Sequence, residues 1–339
     1  MKNTTASLYK SALKDYSKFQ KMSLIDLIKE ADIEEENGLR EKDRKIKERL
    51  ENYRNYKIRD NSAQRTVKKY FEVVKTFYRH HEIVIPYLPK IQLKKDYHER
   101  YEDIPKIEHL KKAVESTDSL LEKAIILFMS SSGTARNETL HLKISDFIHA
   151  TREYHSRSDI ESILNELTKE KNIIPLFELV RIKTDYHYYT CCSNESTDMI
   201  VKYLKTRKNL KLESKLFDIN RNRFNKFFMR INTSNEWGQV GYYGFFRSHG
   251  LRKFHATTIE DKSLADALQG RKRDSITESY YKQNPKRIKE RYLEVLPKLT
   301  ILKCDIPKEN DYESLKRDNT YLHERLNKLE EILTNLQGS

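Results

Sequence analysis

Residues 247–257 read Arg-Ser-His-Gly-Leu-Arg-Lys-Phe-His-Ala-Thr. The three-residue spacing of His249 and Arg252 puts both on one face of a helix, where an imidazole and a guanidinium can point at a single phosphate-sized anion. On its own a His-x-x-Arg pair is common, and two surface residues account for it equally well. The reading of the fold therefore depends on what flanks the stretch.

Upstream, residues 131–138 read Ser-Ser-Gly-Thr-Ala-Arg-Asn-Glu, followed by Leu140, Leu142 and Asp146-Phe147. Gly133 predicts the end of one helix, and the next helix carries Arg136 near its start. Between these two stretches, residues 173–192 are rich in β-formers around a central turn, which predicts a hairpin or small sheet bearing Arg181-Ile182-Lys183-Thr184 and the aromatic run from Tyr186 to Tyr189. Taken alone, Lys183 also fits a solvated surface lysine. Downstream come Leu268-Gln269-Gly270-Arg271, then Thr277-Glu278-Ser279-Tyr280-Tyr281, then Asn284-Pro285 and Ile288. Helical patterns fill the rest of the region from Ile104 to about Leu296, so the fold class is mostly α with a small β hairpin.

The 339 residues hold 65 Lys and Arg against 51 Asp and Glu, a net charge of +14 that suits a polyanionic partner, nucleic acid before others. Anionic membrane surfaces attract the same charge. Breaking a nucleic-acid strand without losing its bond energy requires a nucleophile that keeps the phosphate, cations for the charged transition state and a proton donor for the leaving oxygen. A tyrosine hydroxyl, arginine forks and a lysine or histidine supply these without a metal.

Arg136 with its Gly-led turn, Arg181-Ile182-Lys183-Thr184 on a hairpin, His249-x-x-Arg252, and Leu268-x-Gly270 followed by a tyrosine resemble, in that order, the motifs of the tyrosine recombinase (phage integrase) family. The resemblance spans about residues 104–299. It implies site-specific strand breakage and rejoining on double-stranded DNA through a 3′-phosphotyrosine, with Tyr280 as nucleophile. The count of nine residues from Arg271 to Tyr280 favours Tyr280 over the adjacent Tyr281. It further implies that Arg136 and Arg252 hold the nonbridging oxygens, His249 assists proton transfer and Lys183 protonates the 5′-oxygen, with no cofactor or metal. Two departures stand out. The family's supporting Glu lies three residues after the first Arg, whereas Glu138 is two after Arg136, and the family's third His is replaced by Arg271. Arg can donate a hydrogen bond to a phosphoryl oxygen but cannot exchange protons near neutral pH. The Arg-x-Glu and Gly-Arg-Lys segments are most similar to integrases of archaeal viruses and integrated elements.

Residues 1–95 contain almost no Gly or Pro and read as helices broken near Asn37-Gly38 and Asp60-Asn61-Ser62, which fits a helical core-binding domain. Val67, Tyr70, Phe71, Val74, Phe77 and Tyr78 mark the inward face of one helix, with Arg65, Lys68, Lys69, Lys75 and Arg79 on or beside the other. The basic, proline-flanked stretch ending at residues 96–105 reads as a linker to a catalytic domain over 106–300. Beyond Pro307, Leu315, Leu322, Leu329 and Leu336 recur at steps of seven, with Leu326 and Leu333 between them and Asn319 at an a position. Residues 308–339 therefore read as a coiled coil, or as one amphipathic helix folded onto its own protomer. Paired coils suit the resemblance, which implies a homo-oligomer of four protomers on two DNA sites.

No apolar run approaches the roughly 18 residues of a spanning helix, and residues 1–19 lack a signal-peptide core, so the expectation is a cytoplasmic protein with no membrane partner. Cys191, Cys192 and Cys304 lack ligand spacing and read as small apolar fillers. Two rival functions use the same residues: a type IB topoisomerase, and a non-catalytic DNA-binding protein on an integrase scaffold.

Overall fold

A computed structural model describes residues 3–60, 62–89, 97–271 and 284–302. The chain divides into two compact units, residues 1–98 and 99–339. The basic stretch at 90–95 and the heptad tail at 308–339 lie outside the described residues, as do Asn61, Cys304, Tyr280 and Tyr281.

The described residues of the first unit form the α-helices α1 (Asn3–Gln20), α2 (Leu24–Glu36), α3 (Lys45–Arg59) and α4 (Gln64–His80). Ser23 starts α2 by accepting from the Asp26 amide, and the chain leaves the helix through Gly38 at φ 66°. Tyr16, Tyr53 and Tyr78 meet in the core, Tyr16 and Tyr53 edge to face at 4.9 Å. Burying three hydroxyl-bearing rings requires polar partners, and these are present: Tyr16 and Tyr78 share a 3.0 Å hydrogen bond while Tyr53 donates to Asp15. On α4 the buried positions are Val67, Val73, Val74 and Tyr78; Phe71 and Phe77 pack against the same core, while Arg65, Lys68, Lys69 and Arg79 are exposed.

The second unit is built around α6 (Leu120–Ser132), which follows α5 (Ile107–Glu115). Every residue of α6 from Ala124 to Ser132 is buried, so this helix is the centre of the core. Around it come α7 (Arg136–His141), α8 (Ile144–Ala150), α9 (Ile160–Lys169), the strands β1 (Leu176–Arg181) and β2 (Tyr186–Cys191), and α10 (Asn194–Lys205). β1 and β2 pair antiparallel in the register Leu176 to Cys191 and Arg181 to Tyr186, which is the expected hairpin. Then follow α11 (Arg221–Ser234), β3 (Gln239–Val240), β4 (Tyr243–Gly244), α12 (Ser248–Ile259), α13 (Lys262–Leu268) and α14 (Pro285–Leu299). Among the described residues the architecture is mostly helical with two small antiparallel sheets. The β3–β4 pair was not expected from the sequence. Its strands are two residues each, too short to carry a period-2 pattern, and the local signal is the glycines Gly238 and Gly241 at positive φ.

Cys191 and Cys192 are free and buried, as fillers. Among the described residues, no helix is long and apolar enough to cross a membrane.

Where the described chain ends, Glu195 in the first turn of α10 is buried and its carboxylate accepts from the amides of Ile301 at 2.8 Å and Leu302 at 2.6 Å. This clamps the segment after α14 onto the core. Glu195→Ala leaves two amides without their acceptor, and urea unfolding should report a loss of about 2 kcal/mol or more; an unchanged midpoint would mean that the clamp contributes nothing.

Candidate active site

The site begins where α6 ends. Its last three serines return their hydroxyls to the carbonyls four residues back, Ser130 to Ile126, Ser131 to Leu127 and Ser132 to Phe128. Gly133 then closes the helix in the left-handed conformation, φ 64°. A helix C-terminus leaves carbonyls without intrahelical partners. Here three different elements supply donors: Tyr292 of α14 to Ser131, Thr190 of β2 to Ser132, and Arg252 of α12 to Gly133. A Cβ at Gly133 would sit 2.5 Å from the His255 ring, so both the turn and the close packing require glycine.

Arg252 is buried, and its guanidinium fork is fixed at both ends. Nη1 donates to the Gly133 carbonyl at 2.5 Å and Nη2 to the Gln269 carbonyl at 2.7 Å. Gln269 reciprocates through its side chain, donating to the Arg252 carbonyl at 2.8 Å and to His255 Nδ1 at 3.1 Å. Gln269 and Gly270 are held by a Schellman turn at the end of α13, in which the Gly270 amide reaches Ala267 and the Arg271 amide reaches Asp266. Gly270, at φ 58°, could not carry a Cβ either, since it would lie 2.5 Å from Tyr188.

On this frame lies a cleft of about 330 Å³ lined by Ala135, Arg136, Asn137, Glu138, Arg181, Lys183, Ser248, His249 and Arg252. Four residues singled out in the sequence, Arg136, Lys183, His249 and Arg252, thus meet at one place from α7, the β1–β2 turn and α12. Arg136 opens α7, and its Nη1 donates to Asn225 of α11 at 3.0 Å. Lys183 sits exposed in the four-residue turn, which closes with the Thr184 and Asp185 amides on the Arg181 carbonyl. Arg271 does not line this cleft: its side chain is half-exposed and paired with Asp266 at 3.0 Å. Tyr280 lies outside the described residues.

The cleft is strongly cationic, and Glu138 is the one carboxylate among its lining residues. Burial, then the charges of Arg181 and Arg271, push Arg252 down to about 10, which still leaves it charged at neutral pH. Burial and the Arg221 charge lower Arg136 as well. The protein packed around His249, followed by Arg247, Arg252 and Arg271, lowers its imidazole below the ordinary value, so it is neutral at physiological pH and able to accept a proton. Among the described residues, no group of three or more His, Cys, Asp and Glu is placed to hold a metal ion.

Three residues that matter here lie within the quoted motifs without an assigned place in the site: Arg181 reads from sequence only as a neighbour of Lys183 that contacts DNA backbone or makes a basic strand, and Gln269 and His255 have no role there. Arg181 shares strand parity with buried Phe177 and Leu179, and that period-2 signal could have placed it on the inward face. Gln269 and His255 carry no comparable signal, because a buried amide and imidazole that brace an arginine are visible only once the helices are packed.

No protein-family model and no curated protein sequence matches this chain. Among solved structures it is similar to XerA recombinase, at 15% identity over 87% of this chain and 93% of that one with a TM-score of 0.35. It is also similar to XerH site-specific recombinase bound to difH substrate in a pre-cleavage complex, at 16% identity over 72% and 69% with a TM-score of 0.44. A lambda integrase dimer bound to a COC′ core site gives 16% identity over 83% and 81% with a TM-score of 0.43. At such identities the likeness is one of chain path alone.

His255 is fully buried, and burial followed by the charges of Arg252 and Arg271 pushes its imidazole down to about 3. The unfolded chain protonates this group near pH 6.5, so between those values unfolding takes up a proton. Stability is whole above about pH 6.5 and declines as pH falls toward 3. Comparing denaturant unfolding at pH 7.5 and 5, wild type should lose about 2 kcal/mol more than His255→Gln, the carboxylates common to both cancelling. Equal losses would show that His255 titrates normally.

Proposed function

We propose that the chain is a site-specific DNA recombinase that cuts and rejoins strands through a phosphotyrosine on Tyr280. The observation that carries this reading is the convergence of Arg136, Lys183, His249 and Arg252 on one cationic cleft, although up to 116 positions of chain separate them. Added to it is the sequence spacing that puts Tyr280 nine residues beyond Arg271.

In this mechanism the scissile phosphate enters the cleft. Arg136 and Arg252 hold its nonbridging oxygens, and their forks favour the charge that builds on the pentacoordinate phosphorus. The Tyr280 hydroxyl attacks phosphorus and its proton passes to neutral His249; the tyrosyl O–P bond forms as the P–O5′ bond breaks, and Lys183 protonates the departing 5′-oxygen. Arg271, held by Asp266, contributes positive field rather than a proton. Rejoining runs the same steps backward with a 5′-hydroxyl from another strand, so the bond energy is conserved in the phosphotyrosine. The exposed basic residues of α4 and the lysine and arginines that line the cleft of the second unit contact DNA phosphates, giving a steeply salt-dependent affinity. Integration or excision of a mobile element such as an archaeal virus, by protomers assembled on paired sites with help from the heptad tail, is the biological role that fits this chemistry.

The test uses a duplex selected from a random-sequence pool by its binding to the protein, carried on a supercoiled plasmid and analysed on denaturing gels. Wild type and Tyr281→Phe are expected to yield a covalent protein–DNA adduct, and Tyr280→Phe none. Tight binding without any wild-type adduct would mean a non-catalytic DNA-binding protein. Relaxation of the plasmid without strand exchange between two duplexes would mean a topoisomerase.

A further inference from the structure

Arg181 is a charged residue on the inward face of a strand, and it lines the same cleft as Arg136, Lys183, His249 and Arg252. Its Nη1 donates to the Gly270 carbonyl at 2.9 Å and, more weakly, to the Gln269 carbonyl at 3.4 Å. The Gln269 carbonyl is also the acceptor of Arg252 Nη2. The two guanidinium groups therefore stand on one pedestal, close enough to share a single oxygen. A guanidinium is planar, so anchoring one nitrogen at two carbonyls fixes the direction of the whole fork.

Such a pair is electrostatically unfavourable unless something else neutralises it. Two backbone carbonyls carry only partial charge, Glu138 is a single carboxylate against three lining arginines, and the Arg181 charge is second only to burial in lowering Arg252. The Arg181 Nε is buried and finds no acceptor among the described residues; the same holds for Arg136 Nε in the same cleft. Buried donors without acceptors are costly, and charged ones more so. An oxyanion with several oxygens, seated in the cleft, supplies both the charge and the acceptors. The pedestal is also selective: Gly270 can present its carbonyl to Arg181 only because it lacks a Cβ that would strike Tyr188.

We propose that Arg181 is a further ligand of the phosphoryl group, a third guanidinium that binds a nonbridging oxygen alongside Arg136 and Arg252. It occupies the place on the Gln269–Gly270 turn that Arg271, paired outward with Asp266, does not. The inference rests on reading the cleft as a phosphodiester site, but anion binding can be measured apart from any reaction.

Two measurements on the full chain test it. In the first, inorganic phosphate is titrated into wild type, Arg181→Ala, Arg181→Lys and Lys298→Ala by calorimetry. Lys298 pairs with Glu260 on the surface, so this last variant removes equal charge away from the cleft. Arg181→Ala is expected to weaken phosphate binding at least ten-fold and Arg181→Lys to restore part of it, with Lys298→Ala matching wild type. Phosphate affinity that is the same in Arg181→Ala and wild type, or that falls equally in Lys298→Ala, overturns the proposal. Should Arg181→Ala fail to fold, Arg181→Lys decides alone, since it keeps the charge and loses the fork: wild-type affinity in that variant overturns the proposal. In the second, adduct formation at saturating duplex is expected to slow about 100-fold in Arg181→Ala, with duplex binding changed less than about three-fold. A methylphosphonate at the cleaved linkage, which removes one charged oxygen, should recover at least ten-fold of that loss. No recovery would assign Arg181 a merely structural role. Absence of any adduct from wild type, with the phosphate result intact, would sink the recombinase reading and leave the anion site standing.

Discussion

The fork of Arg252 is the constraint on which the second unit depends. One buried guanidinium joins the end of α6, through the Gly133 carbonyl, to the turn after α13, through the Gln269 carbonyl. Each partner is available only because of a local feature of sequence. Gly133 can turn left-handed and free its carbonyl, and Gln269 is held in place by the Schellman turn of Gly270 and by its own side chain on Arg252 and His255. A buried charge is tolerated when it is hydrogen-bonded, and these two bonds fix the direction of the fork. The same fixings hold Arg252 at the edge of the cleft, so the device that closes the core also orients a functional group.

Around that fork the structure concentrates positive charge where burial makes it costly. Arg136, Arg181 and Arg252 enter one cleft from three different elements, and neighbouring arginines depress His249 and Arg252 alike. The consequences for chemistry differ with the group. A depressed arginine remains a cation and still binds oxygens, while a depressed histidine is neutral and can take a proton. Burial and the neighbouring charges together therefore leave cations that can bind oxygens beside a neutral imidazole, with Glu138 as the one carboxylate lining the cleft. This division of labour is what makes phosphoryl transfer to a tyrosine a reasonable use of the cleft.

Much of this was legible in the sequence because it depends on local rules. The helix stop at Gly133, the hairpin between residues 173 and 192, and the shared helix face of His249 and Arg252 all follow from φ preferences and periodicity. The meeting of Arg136, Lys183, His249 and Arg252 does not follow from any of these, since it depends on how α6, α12 and the hairpin pack. Arg181 illustrates the boundary. Strand parity put its side chain inward, yet only the packed Gln269–Gly270 turn reveals what holds it there. The brief β3–β4 ladder was illegible for a different reason, because two residues per strand cannot express alternation. Tyr280, the proposed nucleophile, was legible through its nine-residue spacing from Arg271.

The central claim is that a fixed arginine fork, and not merely a positive charge, organises the cleft for phosphoryl transfer. Arg252→Lys tests it most directly, because lysine keeps the charge but cannot reach both the Gly133 and Gln269 carbonyls with a rigid plane. Duplex binding and covalent adduct formation would be measured side by side on the folded variant. The account requires binding within about three-fold of wild type and adduct formation reduced at least 100-fold. Adduct formation at the wild-type rate would contradict it, and would reduce the cleft to a patch of charge.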